Sequence, residues 1–135
     1  MSVETKNRYI EAVGRRKTAV ARVRITPSAK ASFMINDKEV KDYFPTQDLQ
    51  MLSQEALVKS EIQEKFVVTV HVNGGGIHAQ AEAIRHGLSR TLVERDEQVK
   101  NTLKKLGFLK RDSRQVERKK FGLKKARKAP TWSKR

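Results

Sequence analysis

The residues most able to do chemistry in this 135-residue chain are the basic side chains at its C-terminal end. Residues 101–135 carry fourteen Lys or Arg against two acids, Asp112 and Glu117, which gives +12; residues 1–100 carry sixteen against thirteen, which gives +3. Such a segment repels itself and has too little apolar content to form a core alone. It therefore requires a polyanion, and nucleic acid is the partner that this charge density favours.

Apolar and aromatic residues are interleaved with the cations of this segment. Phe121 and Trp132 could stack on bases, and arginine side chains can bridge phosphates. An unbound disordered tail, or a basic localisation signal, would show a similar composition. We predict that the tail binds RNA through Arg111, Arg114, Arg118, Lys119, Lys120, Lys124, Lys125, Arg127 and Lys128.

A second group of cations lies near the N-terminus, where residues 19–26 alternate between apolar and other residues. The alternation predicts a strand with one buried face and with Arg22 and Arg24 together on the other. A solvated face would also be charged, but it would normally mix in acids, and residues 15–26 contain none. We therefore predict RNA contacts from Arg15, Arg16, Lys17, Arg22 and Arg24.

Three consecutive glycines, Gly74, Gly75 and Gly76, stand between a predicted strand and a predicted helix. Backbone N–H groups at such a junction can bind phosphate, and glycine lets an RNA backbone approach closely. A tight turn would explain the glycines equally well. A nucleotide site is the least favoured alternative, because neither Gly-Lys-Ser/Thr nor G-x-G-x-x-G is completed. We include the three glycines among the predicted RNA contacts.

The helix that follows carries His78, Glu82 and His86 at four-residue spacing. The two histidines lie about 12 Å apart along the helix axis, too far to share one metal ion. We predict instead that Arg85, His86 and Arg90 contact RNA. Because no Ser-His-Asp pattern, G-x-S-x-G elbow or cysteine occurs, we expect no catalytic residue, metal or cofactor.

The elements that must position these residues follow from hydrophobic periodicity. We predict strands over 9–13, 19–26, 33–35, 66–72 and 108–110, and helices over 40–44, 47–59, 77–95 and 97–106. This order predicts an α+β two-layer sandwich, with helices on one face of a four- or five-stranded mixed sheet. We divide the chain into a flexible N-terminus (1–8), a globular RNA-binding domain (9–112) and an extended basic tail (113–135).

The chain also lacks features of export. Its start has no apolar signal core, its apolar runs are too short for a membrane span, and it has no cysteine. We expect a cytoplasmic protein, with an organellar location as the less favoured alternative.

Five segments in order resemble the bacterial form of the small-subunit ribosomal protein S9 family. They are GRRKTAVARVR at 14–24, YFP at 43–45, GGG at 74–76, AIRHG at 83–87 and RKKFGLKKARKAPTWSKR at 118–135. The resemblance covers residues 9–135. Thr131 and Trp132 stand where Gln and Tyr or Phe are common, and His78 and Glu82 stand where small residues are common. An acid at position 82 would need to face solvent or a cation.

The resemblance implies a sandwich with an unusual left-handed crossover. It implies binding to the 3′ major domain of the small-subunit rRNA, in the subunit head, beside other head proteins. It also implies that Ser133, Lys134 and Arg135 reach the anticodon stem-loop of the P-site tRNA, and that the protein is structural and has no small-molecule substrate. Two alternatives stay open: a non-ribosomal nucleic-acid-binding module, and a small kinase-like enzyme suggested by fold analogy alone.

Overall fold

A five-stranded mixed sheet forms one layer of the molecule in the computed structural model, which describes residues 9–132. The strands are β1 (Ile10–Arg16), β2 (Ala19–Pro27), β3 (Ser32–Ile35), β4 (Lys38–Glu39) and β5 (Phe66–Asn73). Their spatial order is β1-β2-β5-β3-β4, and β3 with β5 is the parallel pair. The N-terminal segment predicted to be flexible, 1–8, and the residues predicted to contact tRNA, 133–135, lie outside the described residues.

Helices form the second layer. They are α1 (Val40–Tyr43), α2 (Gln47–Ser60), α3 (Ile77–Arg95) and α4 (Lys100–Lys105), with a 3₁₀ turn at Glu97–Val99 before α4. At the start of α2, the Thr46 hydroxyl accepts a hydrogen bond from the Leu49 backbone N–H at 3.4 Å, which gives an acceptor to one of the N–H groups that a helix N-terminus leaves unpaired. The predicted α+β two-layer class is confirmed, whereas the left-handed sense of the crossover between β3 and β5 stays a prediction.

The alternation in β2 decides which face of the sheet the helices cover. Ala21, Val23 and Ile25 are fully buried against the helical layer, and α3 packs across β1 and β2. Arg22 and Arg24 project from the opposite face, because successive side chains of a strand point to opposite sides. We call this uncovered side the open face.

Two strand predictions were incomplete or wrong. The two-residue strand β4 was missed, since Lys38 and Glu39 carry no strand periodicity. The strand predicted at 108–110 does not form, because α4 ends in a reversing turn instead. Gly107, at φ +81°, donates its N–H to the Lys104 carbonyl, and the Phe108 N–H donates to the Leu103 carbonyl, both at 3.1 Å. This paired pattern is the Schellman motif, for which glycine is favoured.

Within residues 9–132, no helix combines the length and the apolar character that crossing a bilayer requires.

Candidate nucleic-acid interface

Three predicted RNA-contacting arginines meet at the free edge of β1. Arg15, Arg90 and Arg111, together with His86, line a depression of about 420 Å³; we call these four residues the edge cluster. Arg90 donates to the Val13 carbonyl at 2.6 Å, and the Arg15 backbone N–H donates to Nδ1 of His86 at 3.3 Å. No acid lines the depression, so its positive potential is not cancelled locally.

The environment of the edge cluster keeps His86 neutral. Burial is the main cause that lowers its pKa below the ordinary 6.5, and the positive charges of Arg90, Arg111 and Arg85 act in the same direction. A hydrogen bond with the Leu109 backbone opposes them. Nδ1 accepts from Arg15 and must therefore be unprotonated. The pKa of His86 is thus lowered first by burial and then by the positive charges around it.

The open face is less strongly basic than its sequence suggests. Glu11 of β1 lies between the two β2 arginines, with Arg22 Nε at 3.0 Å from one carboxylate oxygen and Arg24 Nε at 3.1 Å from the other. The Arg24 guanidinium also lies 4.5 Å from the ring centroid of Tyr9. The stretch without acids in the sequence is therefore not free of acids in space, because the antiparallel register supplies one from the neighbouring strand.

Arg16 projects from the other side of β1, towards the helices, and its side chain is only 12% exposed. Its Nε donates to Glu82 at 2.6 Å, its Nη1 donates to the Arg114 carbonyl at 2.6 Å, and its Nη2 lies 3.6 Å from Asp112. All three guanidinium nitrogens therefore face protein acceptors. Glu82 thus faces a cation, and Arg16 joins β1, α3 and the start of the tail.

The other predicted basic residues of the body differ in whether their side chains are bound to other parts of the protein. Arg85 donates to Glu55 at 3.1 Å, and its guanidinium lies 4.7 Å from the Phe108 ring centroid. Lys17 is exposed in the turn between β1 and β2, at φ +53°. Arg85 therefore has a structural role in the body, whereas Lys17 presents its charge to solvent.

The triple glycine combines a packing requirement with an open surface. Gly74 has φ +79°, and a Cβ built on it would lie 2.5 Å from the Thr18 carbonyl oxygen. A Cβ on Gly75, at φ +65°, would lie 3.2 Å from the Ala19 backbone nitrogen. A Cβ built on Gly76, at the N-terminus of α3, would have no atom within 4 Å. Turn geometry therefore accounts for Gly74, whereas the surface at Gly76 is open to a bound molecule such as an RNA backbone.

A chain of hydrogen bonds that the sequence did not indicate holds this glycine loop in place. Tyr43 donates to Gln80 Oε1 at 2.5 Å, and Gln80 Nε2 donates to the Gly74 carbonyl at 3.0 Å. Asn36, in a left-handed turn at φ +48°, bonds both backbone groups of Val72 in the strand before the loop. The turn-forming pair Asn36-Asp37 was the only available signal.

The described tail residues, 113–132, form neither helix nor strand. At the tail's start, hydrogen bonds from Arg114 hold the pKa of Asp112 well below its usual range. Further along, Glu117 pairs with Lys120 and with Arg127, the latter at 2.8 Å. The five other cations predicted to bind RNA from residues 113–132 make no ion pair within residues 9–132: Arg118, Lys119, Lys124, Lys125 and Lys128. Phe121 and Trp132 are almost fully exposed.

An α+β body with an arginine cluster free of acids, continued by a cationic tail with exposed aromatic rings, is typical of an RNA-binding protein. A family model described as ribosomal protein S9/S16 matches residues 14–135. The chain therefore belongs to the ribosomal protein S9/S16 family. It is a structural constituent of the small ribosomal subunit, its partners are rRNA and ribosomal proteins, and its family is typically non-enzymatic.

Proposed function

We propose that this protein binds the rRNA of the small-subunit head in the cytoplasmic ribosome and reaches the P-site tRNA with its C-terminal residues. The body, 9–112, anchors to rRNA through the edge cluster, the open-face arginines and the glycine loop. The tail, 113–135, neutralises phosphates along its path. Ser133, Lys134 and Arg135 extend the same chemistry to the tRNA backbone, where cations position without reading sequence.

The edge cluster carries the proposal for the body. Arg15, Arg90 and Arg111 come from β1, α3 and the segment after α4, and they converge without a carboxylate among them. Ion pairs with acids would neutralise the arginine charges within the protein, as happens at Arg16. A bound phosphate backbone would supply the missing negative charge and would continue directly onto the tail.

The salt dependence of rRNA binding tests this role. In the full chain, Arg15, Arg90 and Arg111 are replaced together by Gln, and affinity for a head-domain rRNA fragment is measured across salt concentrations. Each lost phosphate contact should flatten the plot of log affinity against log salt by about 0.7 to 0.9, so we expect a change of about 2 to 3.

The matched control replaces Lys38, Lys41 and Lys65 by Gln, which removes the same charge from an exposed surface away from the edge cluster. Its slope should change by less than about 1. Equal slopes for the two triple variants would mean that general charge, and not the edge cluster, governs binding. Equal affinity for unrelated RNAs and DNA would favour the non-ribosomal binding module instead.

A further inference from the structure

One side of α2 presents large apolar side chains to solvent. Met51 is 63% exposed and Val58 is 70% exposed. They lie seven residues apart, with Glu55 between them, and therefore share one side of the helix. The other side of α2 packs inward through Ser53 and Ala56. Together they form a small apolar patch on the exposed side of α2. We call Asp48, Met51, Glu55, Val58 and Lys59 the α2 stripe.

The α2 stripe has the dimensions of a docking site for a side chain or short segment. A shallow groove of about 450 Å³ runs along it, from Asp48 at the N-terminal end of the helix to Lys59 near its C-terminal end. Glu61 follows the helix at φ +55° and is exposed, three residues after Val58. Neither Asp48 nor Glu61 forms an ion pair within the described residues 9–132.

The sequence segment that carries the α2 stripe is acidic, although Arg85 and Arg95 of α3 pair with two of its acids, Glu55 and Glu64. Residues 37–65 contain seven acids and four lysines, a net charge of −3 in a chain of +15, so the remaining residues carry +18. An rRNA backbone would be repelled by unpaired carboxylates at both ends of the stripe. A cationic protein segment would meet them favourably, because electrostatic complementarity selects partners of opposite charge.

We propose that the α2 stripe docks a segment of another small-subunit protein, with an apolar side chain against Met51 and Val58 and Lys or Arg beside Asp48 and Glu61. This inference rests on the ribosomal role proposed above and deepens it. It gives the molecule two distinct sides: the edge cluster faces rRNA, and α2 faces protein.

Site-directed crosslinking tests the proposal, because the chain has no cysteine and a single introduced one is unique. Met51→Cys and Val58→Cys carry a benzophenone label and are assembled into purified small subunits, with Lys110→Cys, next to Arg111 of the edge cluster, as the comparison. We expect positions 51 and 58 to crosslink to one ribosomal protein, at a peptide rich in Lys and Arg, and position 110 to crosslink to rRNA.

A charge-reversal pair then tests the electrostatic part. Asp48→Lys with Glu61→Lys should lower the protein crosslink from position 51 about tenfold, whereas the control, Asp37→Lys with Glu39→Lys, should leave it unchanged. Crosslinks from 51 and 58 to rRNA, or none from either, would overturn the docking proposal while position 110 still reports rRNA. Failure at position 110 alone would instead count against the proposed rRNA interface.

Discussion

Gly14 of β1 and Gly87 of α3 pack backbone against backbone. A Cβ built on Gly14 would lie 2.3 Å from the Gly87 nitrogen and 1.9 Å from the Ala83 carbonyl oxygen. No side chain separates the helix from the strand at this point, so α3 runs directly along β1. This contact brings His86 and Arg90 over the free edge of β1, where they meet Arg15.

Gly14→Ala should destabilise the body strongly. The added methyl group would overlap backbone atoms, which cannot rotate away, so the free energy of unfolding should fall by about 3 kcal/mol or more. Urea unfolding of the full chain measures it. Gly76→Ala is the matched control, since it has φ −92° and no atom within 4 Å of the new Cβ. Equal unfolding midpoints for the two variants would contradict the close packing.

Glu82→Gln should loosen the junction between body and tail. The Arg16–Glu82 pair is largely buried, with side chains 12% and 21% exposed, so losing its charge should lower the free energy of unfolding by about 1 to 2 kcal/mol. Glu64→Gln removes a pair whose side chains are both 40% exposed, and its effect should stay below about 1 kcal/mol. If Glu82→Gln cost no more than Glu64→Gln, Arg16 would not be a structural junction.

Stability should depend on pH through His86. The fold lowers its pKa below 6.5, so in mildly acidic solution the unfolded chain binds a proton that the folded chain does not. The free energy of unfolding should therefore fall as the pH decreases through 6.5, and level off once the pH is below the folded pKa. Urea unfolding at pH 7.5 and 5.5 measures this fall.

His86→Gln is the control for the pH effect, because it removes the titrating ring and leaves His71 and His78 in place. The variant should lose less stability than the parent between the two pH values. An identical loss in both proteins would show that other groups cause the dependence.

Deleting residues 133–135 should separate tRNA binding from assembly. Two cations would be lost from a tail that keeps eight others, so incorporation into small subunits should persist while retention of P-site tRNA weakens. Filter binding of tRNA to reconstituted subunits measures the second effect. Loss of assembly with this deletion would make the tail end an assembly element instead.

Local patterns predicted most of the elements that position these residues. The alternation in β2 and the hydrophobic periodicity that predicted α3 each reflect interactions within a few residues, and both predictions are confirmed. The strand predicted at 108–110 was wrong. The segment lies instead beside the free edge of β1, where the Val13 carbonyl and the Arg15 N–H are bonded to side chains of α3.

What the sequence could not show is which charges meet in space. Glu11 reaches Arg22 and Arg24 only through the register of β1 on β2. RNA contacts were predicted from both Arg15 and Arg16, although successive side chains of a strand point to opposite faces of the sheet. The edge cluster depends on three separate parts of the chain, so no single stretch of sequence contained it.

Directed cleavage of rRNA tests the central claim most directly. An iron chelate is attached at Lys110→Cys, beside the edge cluster, and in a second variant at Lys41→Cys in α1; hydroxyl radicals are then generated in purified small subunits. We predict strand cuts concentrated in head-domain rRNA from position 110, and few from position 41. Equal cleavage from both positions, or none from position 110, would contradict an rRNA interface at the edge of β1.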